Sequence, residues 1–181
     1  DTPDFMWIKN RSTSSSHILQ DTVRGINLTQ FSTDTSVENG YPYVMEMNKF
    51  GMSLQLGSGV NGSGNSFVYW TWKAGGASVT NTSGSITSQV SANPSAGFSV
   101  VTYTSPNTTN DETVGHGLGA APQFIIAKNR DNTYNWDIYH KSLSSGYGLV
   151  FATDAQTSGR WPTTAPTSSV FSVKYNYEHY S

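Results

Sequence analysis

A block of nine residues occurs twice in this chain, and its spacing restricts what the polypeptide can fold into. Pro122-Gln123-Phe124-Ile125-Ile126-Ala127-Lys128-Asn129-Arg130 repeats Pro3-Asp4-Phe5-Met6-Trp7-Ile8-Lys9-Asn10-Arg11, 119 positions earlier (122 − 3). Pro, Phe, Lys, Asn and Arg are identical, and the three residues between Phe and Lys are apolar in both copies. A short polar turn then leads to a second run at the same offset, His17-Ile18-Leu19-Gln20-Asp21 in one copy and Trp136-Asp137-Ile138-Tyr139-His140 in the other. Self-similarity at fixed spacing marks a supersecondary unit built more than once, and fold assignment has to begin from it.

Each copy reads as strands. Phe5 to Lys9 alternates, with Met6 and Ile8 opposite Phe5 and Trp7, as a pleated ribbon requires. Further strands are expected at Ile18 to Val23, Leu28 to Thr33, Tyr43 to Met47 and Met52 to Leu56, with Glu38-Asn39-Gly40 as a hairpin turn. Phe67 to Lys73 is the most aromatic strand, placing Val68, Trp70 and Trp72 on one face and Phe67, Tyr69, Thr71 and Lys73 on the other. Ser78 to Pro94 is low in bulk and reads as a connector, with weak strands at Ser78 to Thr80 and Ile86 to Val90. Asn93-Pro94 closes it, because the residue before Pro is pushed out of helical space. Phe98 to Thr104, the repeated Pro122 block, Trp136 to His140, Tyr147 to Phe151 and Val170 to Tyr175 follow. No amphipathic helix is legible. Short strands punctuated by Gly, Pro and Asn predict an all-β fold, an antiparallel β-sandwich of the jelly-roll or concanavalin-like kind.

The predicted organisation is two internally repeated units, residues 1–92 and 93–181, packed as one body. Neither copy is complete alone: the first lacks a counterpart of Phe98 to Thr104, and the second lacks one of the Phe67 to Trp72 strand. A sheet short of a strand exposes unpaired N–H and C=O groups. A terminal edge is therefore also expected to pair with a neighbouring chain.

Composition removes several functions. With 181 residues, a net charge of −2 and charged residues at only 12%, the chain has no basic footprint for nucleic acid or anionic lipid. No apolar run approaches the ~20 residues of a membrane span. The absence of Cys excludes disulfides, thiolate chemistry and cysteine-ligated metals. An aromatic share of 13% argues against disorder. A polar, cysteine-free β protein suits assembly in a reducing cytoplasm and later exposure, as for part of a virion. A chain opening at Asp1 is expected to be processed, trimmed or a fragment.

The ordered set Phe67-Val68-Tyr69-Trp70-Thr71-Trp72-Lys73-Ala74-Gly75-Gly76, Gly97 to Thr104, Gly115-His116-Gly117-Leu118-Gly119, Pro122, Lys128-Asn129-Arg130 and Trp136…Tyr139-His140 resembles a repeat of large structural and tail-fibre-like proteins of marine tailed phages. Those proteins are described as concanavalin-A-like sandwiches. The resemblance covers most of the chain and implies a virion or surface role, with no catalytic residues.

The chemistry-bearing residues are sparse. Gly115-x-Gly-x-Gly119 would need a helix after it to cradle phosphate, and a strand follows, so it reads as a turn. Glycan hydrolysis needs two carboxylates roughly 5–10 Å apart. Glu46 stands alone on its strand, Asp111-Glu112 lies in a loop, and Asp137 shares its face with Tyr139. Asp131 and Asn132 are too few for Ca²⁺, which takes six to eight oxygens. The candidate ligand-binding residues are Trp161, Trp136, Tyr139 and His140. Trp161 is expected to be exposed on a polar loop, where a ring needs a partner. Trp136 and His140 share a face and form either a sugar-stacking pair or a structural His beside a core Trp. Trp70 and Trp72 are expected in the core rather than on a ligand platform.

The expected function is thus a non-enzymatic structural or adhesive virion module, extracellular once assembled. It would display polar loops to other virion subunits, identical chains or a cell-surface glycan, without cofactor, metal, nucleic acid or membrane insertion. The alternatives are a glycan-binding or glycan-cleaving sandwich enzyme and a surface filament subunit.

Overall fold

Alternation decides where the chain forms strands. In Phe5–Asn10 every second residue, Met6, Ile8 and Asn10, is fully buried, while Phe5, Trp7 and Lys9 remain half-buried on the other face. A computed structural model of the chain describes residues 1–57, 59–106 and 109–174, and all regular elements among them are strands. In chain order they are β1 Phe5–Asn10, β2 Ile18–Asp21, β3 Gln30–Phe31, β4 Val44–Asn48 and β5 Gly51–Leu54. Next come β6 Phe67–Trp72, β7 Val79–Asn81, β8 Ser88–Asn93, β9 Phe98–Tyr103 and β10 Glu112–Gly115. The last five are β11 Phe124–Ala127, β12 Asp137–His140, β13 Tyr147–Val150, β14 Thr157–Ser158 and β15 Val170–Val173. They build antiparallel sheets in the orders β3-β2-β1-β6, β11-β12-β13-β14, β7-β8-β9, β4-β5 and β10-β15. The architecture is all-β, of the sandwich kind.

The two copies of the nine-residue block sit in ladders of the same register. Phe5 pairs with Asp21 and Ile8 with Ile18; 119 residues later Phe124 pairs with His140 and Ala127 with Asp137. The third strand agrees too, since Ile18↔Phe31 and Leu19↔Gln30 correspond to Asp137↔Val150 and Ile138↔Leu149. The identical Lys and Asn have a job in each turn. The Oδ1 of Asn10 accepts the Ser12 N–H at 2.9 Å, and that of Asn129 accepts the Asp131 and Asn132 N–H groups, both at 2.9 Å. Lys9 Nζ donates to the carbonyls of Thr13 (3.1 Å) and Ser15 (2.7 Å), and Lys128 Nζ to those of Asn129 (2.6 Å) and Asn132 (3.1 Å).

Two apolar clusters follow from the buried faces. Met6, Ile8, Ile18, Val44 and Val60 form one, with Phe31, Tyr43 and Tyr69 against it. Ile86, Val114, Trp161, Phe171 and Val173 form the other, with Ile125, Ala127 and Tyr139 packed on it. Contacts far apart in sequence join the β1–β6 and β11–β14 regions. Trp136 Nε1 donates to the Phe31 carbonyl at 2.9 Å, and Trp7 meets Phe151 with ring centroids 5.6 Å apart. Glu38 donates its N–H to the Arg130 carbonyl at 2.8 Å and holds two guanidinium groups on its carboxylate, those of Arg24 and Arg130.

Several expectations are corrected. Asn39-Gly40 is not a hairpin turn: Asn39 exchanges two backbone hydrogen bonds with Thr29, at 2.7 and 2.8 Å, and the turn falls instead at Lys49-Phe50 between β4 and β5. The low-bulk stretch Ser78 to Pro94 is more than a connector, because β8 pairs with β9 along six residues, Asn93↔Phe98 to Ser88↔Tyr103. Its small residues permit close backbone approach: a Cβ on Gly84 would collide with the Thr113 carbonyl oxygen of β10. β10 and β14 lie where loops were expected. Val114 of β10 is sealed in the core, whereas its Glu-Thr-Val-Gly sequence is too short and polar to declare itself. The final strand is seen at Val170–Val173; Tyr175 lies outside the described residues.

Candidate ligand-docking face

The four residues singled out from sequence do not form one site; Trp161 and Tyr139 meet, but inside the core, and Trp136 and His140 lie on the other face of β12. Trp161 is 1% exposed, so the expectation of a ring on a loop tip is corrected. The Thr- and Pro-rich segment folds inward over the core, and the ring lies 5.6 Å from that of Tyr139. Trp136 is also buried, held by its bond to Phe31 and by Phe151 at 5.9 Å. On the face shared by Trp136, Ile138 and His140, only His140 stays partly open. Its Nδ1 accepts the Ser142 N–H at 3.2 Å, and its ring meets that of Phe124 edge-on at 6.4 Å. Alternation sends Tyr139 to the opposite face, onto the second core cluster.

The remaining motifs are likewise accounted for. Glu46 is exposed on β4, where its carboxylate accepts from Asn48 Nδ2 at 3.2 Å. Gly117 and Gly119 both adopt φ of 72°, which makes Gly115 to Gly119 a turn between β10 and β11 with no helix after it. Asp131 and Asn132 close the turn on Asn129 described above.

The exposed aromatic surface lies elsewhere, on the sheet face formed by β1 and β6. Directly opposed residues of an antiparallel pair share a face, so Phe5↔Trp72 and Trp7↔Trp70 place four aromatic side chains side by side. Phe5 and Trp72 are 5.4 Å apart edge-on, Trp7 and Trp70 6.3 Å, and Phe98 stacks on Trp72 at 5.9 Å with planes 20° apart. The inner end of this face is covered by Phe151. The outer end is open, leaving Trp70 43% and Trp72 37% exposed. This corrects the expectation that both lie in the core. Alternation does put them on a packed face, but among the described residues β6 is the outermost strand of its sheet, so the covering layer stops short of them.

Polar groups fix the rings. Trp7 Nε1 donates to His17 Nδ1 at 2.8 Å, which requires a neutral imidazole with its proton on Nε2. Burial, and then the positive charge of Lys9, lower the His17 pKa and favour that neutral form. Lys73, next to Trp72, is anchored to the buried Asp4 carboxylate at 2.6 Å. Such a surface can stack flat apolar faces of a ligand while neighbouring hydroxyl and amide groups hydrogen-bond to it.

Two shallow clefts lie apart from these rings. One, of about 340 Å³, is lined by Ser15, Ser16, Phe31, Tyr41 and Tyr43, with the two tyrosine rings 4.7 Å apart. The other, of about 430 Å³, is lined by Ser88, Gln89, Thr102, Thr104 and Arg130. The sequence carried a signal for the first cleft in Tyr41-x-Tyr43, one face of a short strand-like run. It carried none for the second, which depends on the pairing of β8 with β9.

Among the described residues no cluster of three or more His, Asp or Glu side chains is placed to hold a metal ion, and no helix is long and apolar enough to cross a membrane. No curated protein and no solved structure matches the chain. The model of one family matches residues 1–180, and the chain therefore belongs to the family described as Domain of unknown function (DUF7483).

Proposed function

We propose that the chain is a non-enzymatic structural or adhesive module of a virion, whose rigid β body presents an aromatic face and flanking polar loops to a cell-surface glycan. The observation that supports the glycan reading is the exposure of Trp70 and Trp72 beside Phe5, Trp7 and Phe98. Large aromatic side chains left open together on a folded surface mark a place where another molecule docks. Sugar rings offer apolar C–H faces to such a platform and hydroxyls to the Ser, Thr and Asn around it. The order of sequence blocks shared with phage tail-fibre-like repeats supports the virion setting. The equal ladder registers at an offset of 119 residues support descent from a duplicated unit.

A glycan array with the purified chain tests this reading. Binding of defined saccharides that is lost in the double variant Trp70→Ala/Trp72→Ala supports it; binding that survives removal of both rings defeats it. A reducing-sugar assay on the bound glycans separates adhesion from cleavage. Turnover that disappears in Glu46→Gln would replace the adhesive reading with the enzymatic one.

A further inference from the structure

β11 is the outermost strand of its sheet and, among the described residues, has a hydrogen-bonded neighbour on one side only. What fits its open edge can be read from β1, because the two strands hold the same position in ladders of equal register. Residues of an antiparallel strand direct their N–H and C=O groups alternately to one side and the other. In β1 the Asp4 carbonyl accepts from Thr22 N–H at 2.9 Å, so Met6 and Ile8 bond toward β2. Arg11 N–H donates to the Ser66 carbonyl at 2.7 Å, so Phe5 and Trp7 bond toward β6. In β11 the Gln123 carbonyl accepts from Lys141 N–H at 2.9 Å, which turns Ile125 and Ala127 toward β12. The main-chain groups of Phe124 and Ile126 therefore point out of the open edge, as those of Phe5 and Trp7 point at β6.

The side chains tell the same story. Phe5 is half-buried beneath Trp72 and Phe98, whereas its counterpart Phe124 is 52% exposed. Edge strands that must stay unpaired are blunted by Lys, Pro or a bulge, and Phe124–Ala127 contains neither residue and pairs with β12 without a register shift.

We propose that the β11 edge is a strand-acceptor site, which takes an extended aromatic segment of another polypeptide antiparallel to β11 with the side-chain pattern of β6. In that register an aromatic residue at the position of Trp72 lies against Phe124, and one at the position of Trp70 against Ile126. Main-chain hydrogen bonds from Phe124 and Ile126 supply affinity, and the ring contacts supply selectivity. The site is separate from the saccharide face and does not depend on that reading.

The test uses the whole chain and a labelled peptide with the sequence of residues 66–73, Ser-Phe-Val-Tyr-Trp-Thr-Trp-Lys, followed by fluorescence anisotropy. The expected result is saturable one-to-one binding, weakened at least ~10-fold by Ile126→Pro, a loss of about 1.4 kcal/mol. That change removes an outward N–H and leaves the ladder to β12 in place. Phe124→Lys, at a half-exposed position, is expected to weaken binding as well, and it decides the matter should circular dichroism show Ile126→Pro unfolded. A peptide with both Trp replaced by Ser should bind less well. No saturation at about millimolar peptide, or equal binding by the wild type and a folded variant, overturns the proposal. So does self-association of the chain alone that either variant disperses, which would give the edge to a second copy.

Discussion

Replacing Glu38 by Gln tests how the β2–β3 region is held to the repeated turn at Arg130. The Glu38 side chain is 10% exposed and accepts from Arg24 Nη1 at 2.8 Å and from Arg130 Nε (3.1 Å to each oxygen) and Nη2 (2.6 Å). Gln keeps the volume and one acceptor oxygen, removes the charge, and turns an NH₂ group toward a guanidinium. Breaking a fully buried ion pair from one side costs about 3–5 kcal/mol. The loss here is smaller for two reasons. Arg24 keeps the Asp21 carboxylate and the Leu19 carbonyl, and the Arg130 side chain is 35% exposed, so water replaces part of what it loses. About 2–3 kcal/mol is expected, which for a chain of this size lowers the melting temperature by roughly 4–12 °C. The backbone bond from Glu38 N–H to the Arg130 carbonyl remains, so the variant should still fold cooperatively.

The pH dependence sharpens the test. Burial raises the Glu38 pKa, but hydrogen bonds and charge from Arg130 and Arg24 outweigh it and leave the value below the ordinary 4.5. A carboxyl with a depressed folded pKa stabilises the protein above its unfolded pKa, and that stability is lost as pH falls through the folded value. Calorimetric melts at pH 7 and at steps below 4.5 should show the wild-type and Glu38→Gln curves far apart at neutral pH and converging in acid. A variant that melts within about 1 °C of wild type at pH 7, or a gap that is constant with pH, would refute the reasoning.

Other expectations follow from the same geometry. Trp161→Ala should cost about 3–5 kcal/mol, read from denaturant midpoints, because a fully buried indole leaves a cavity. Burial lowers the pKa of His17, as does Lys9, and burial lowers that of His116 against the opposing Thr167 hydrogen bond, so both resist protonation when folded. Stability should therefore be full above about pH 6.5 and decline below it, and His17→Gln should flatten part of that slope. Protonated His17 cannot accept from Trp7 Nε1, so tryptophan fluorescence should change with a midpoint below 6.5 and stay constant in His17→Gln. Asn129→Ala removes the acceptor for two turn N–H groups and should cost about 1–2 kcal/mol in urea denaturation.

Most of the strands were legible because their apolar residues recur at period two, and Met6 and Ile8 lie on the buried face that the pattern assigns them. The register of the second ladder was legible for a different reason: the repeated block carried the same turn chemistry, Lys and Asn included. The sequence was silent where burial depends on a covering layer. Val68, Trp70 and Trp72 have the alternation of a packed face, and nothing local reveals that β6 ends its sheet and leaves two rings in the open. Trp161 shows the converse, since Ser, Thr and Pro around it describe a loop and say nothing of whether that loop turns inward. β10 and β14 were missed because short polar strands draw their pairing from a partner and not from their own pattern: Val170–Val173, far off in sequence, for β10, and Tyr147–Gly148 of the preceding strand for β14.

The Lys and Asn that close both repeated turns grip main-chain atoms, which every residue type carries. Within the segments they close, residues 12–16 and 131–135, those anchors do not depend on side-chain identity; Ser12 is an exception, since its Oγ also accepts the Ser66 N–H at 2.8 Å. Cassettes of foreign sequence grafted between those anchors should leave strand pairing intact, which makes each corner an interchangeable socket where recognition can diversify while the body beneath it stays constant.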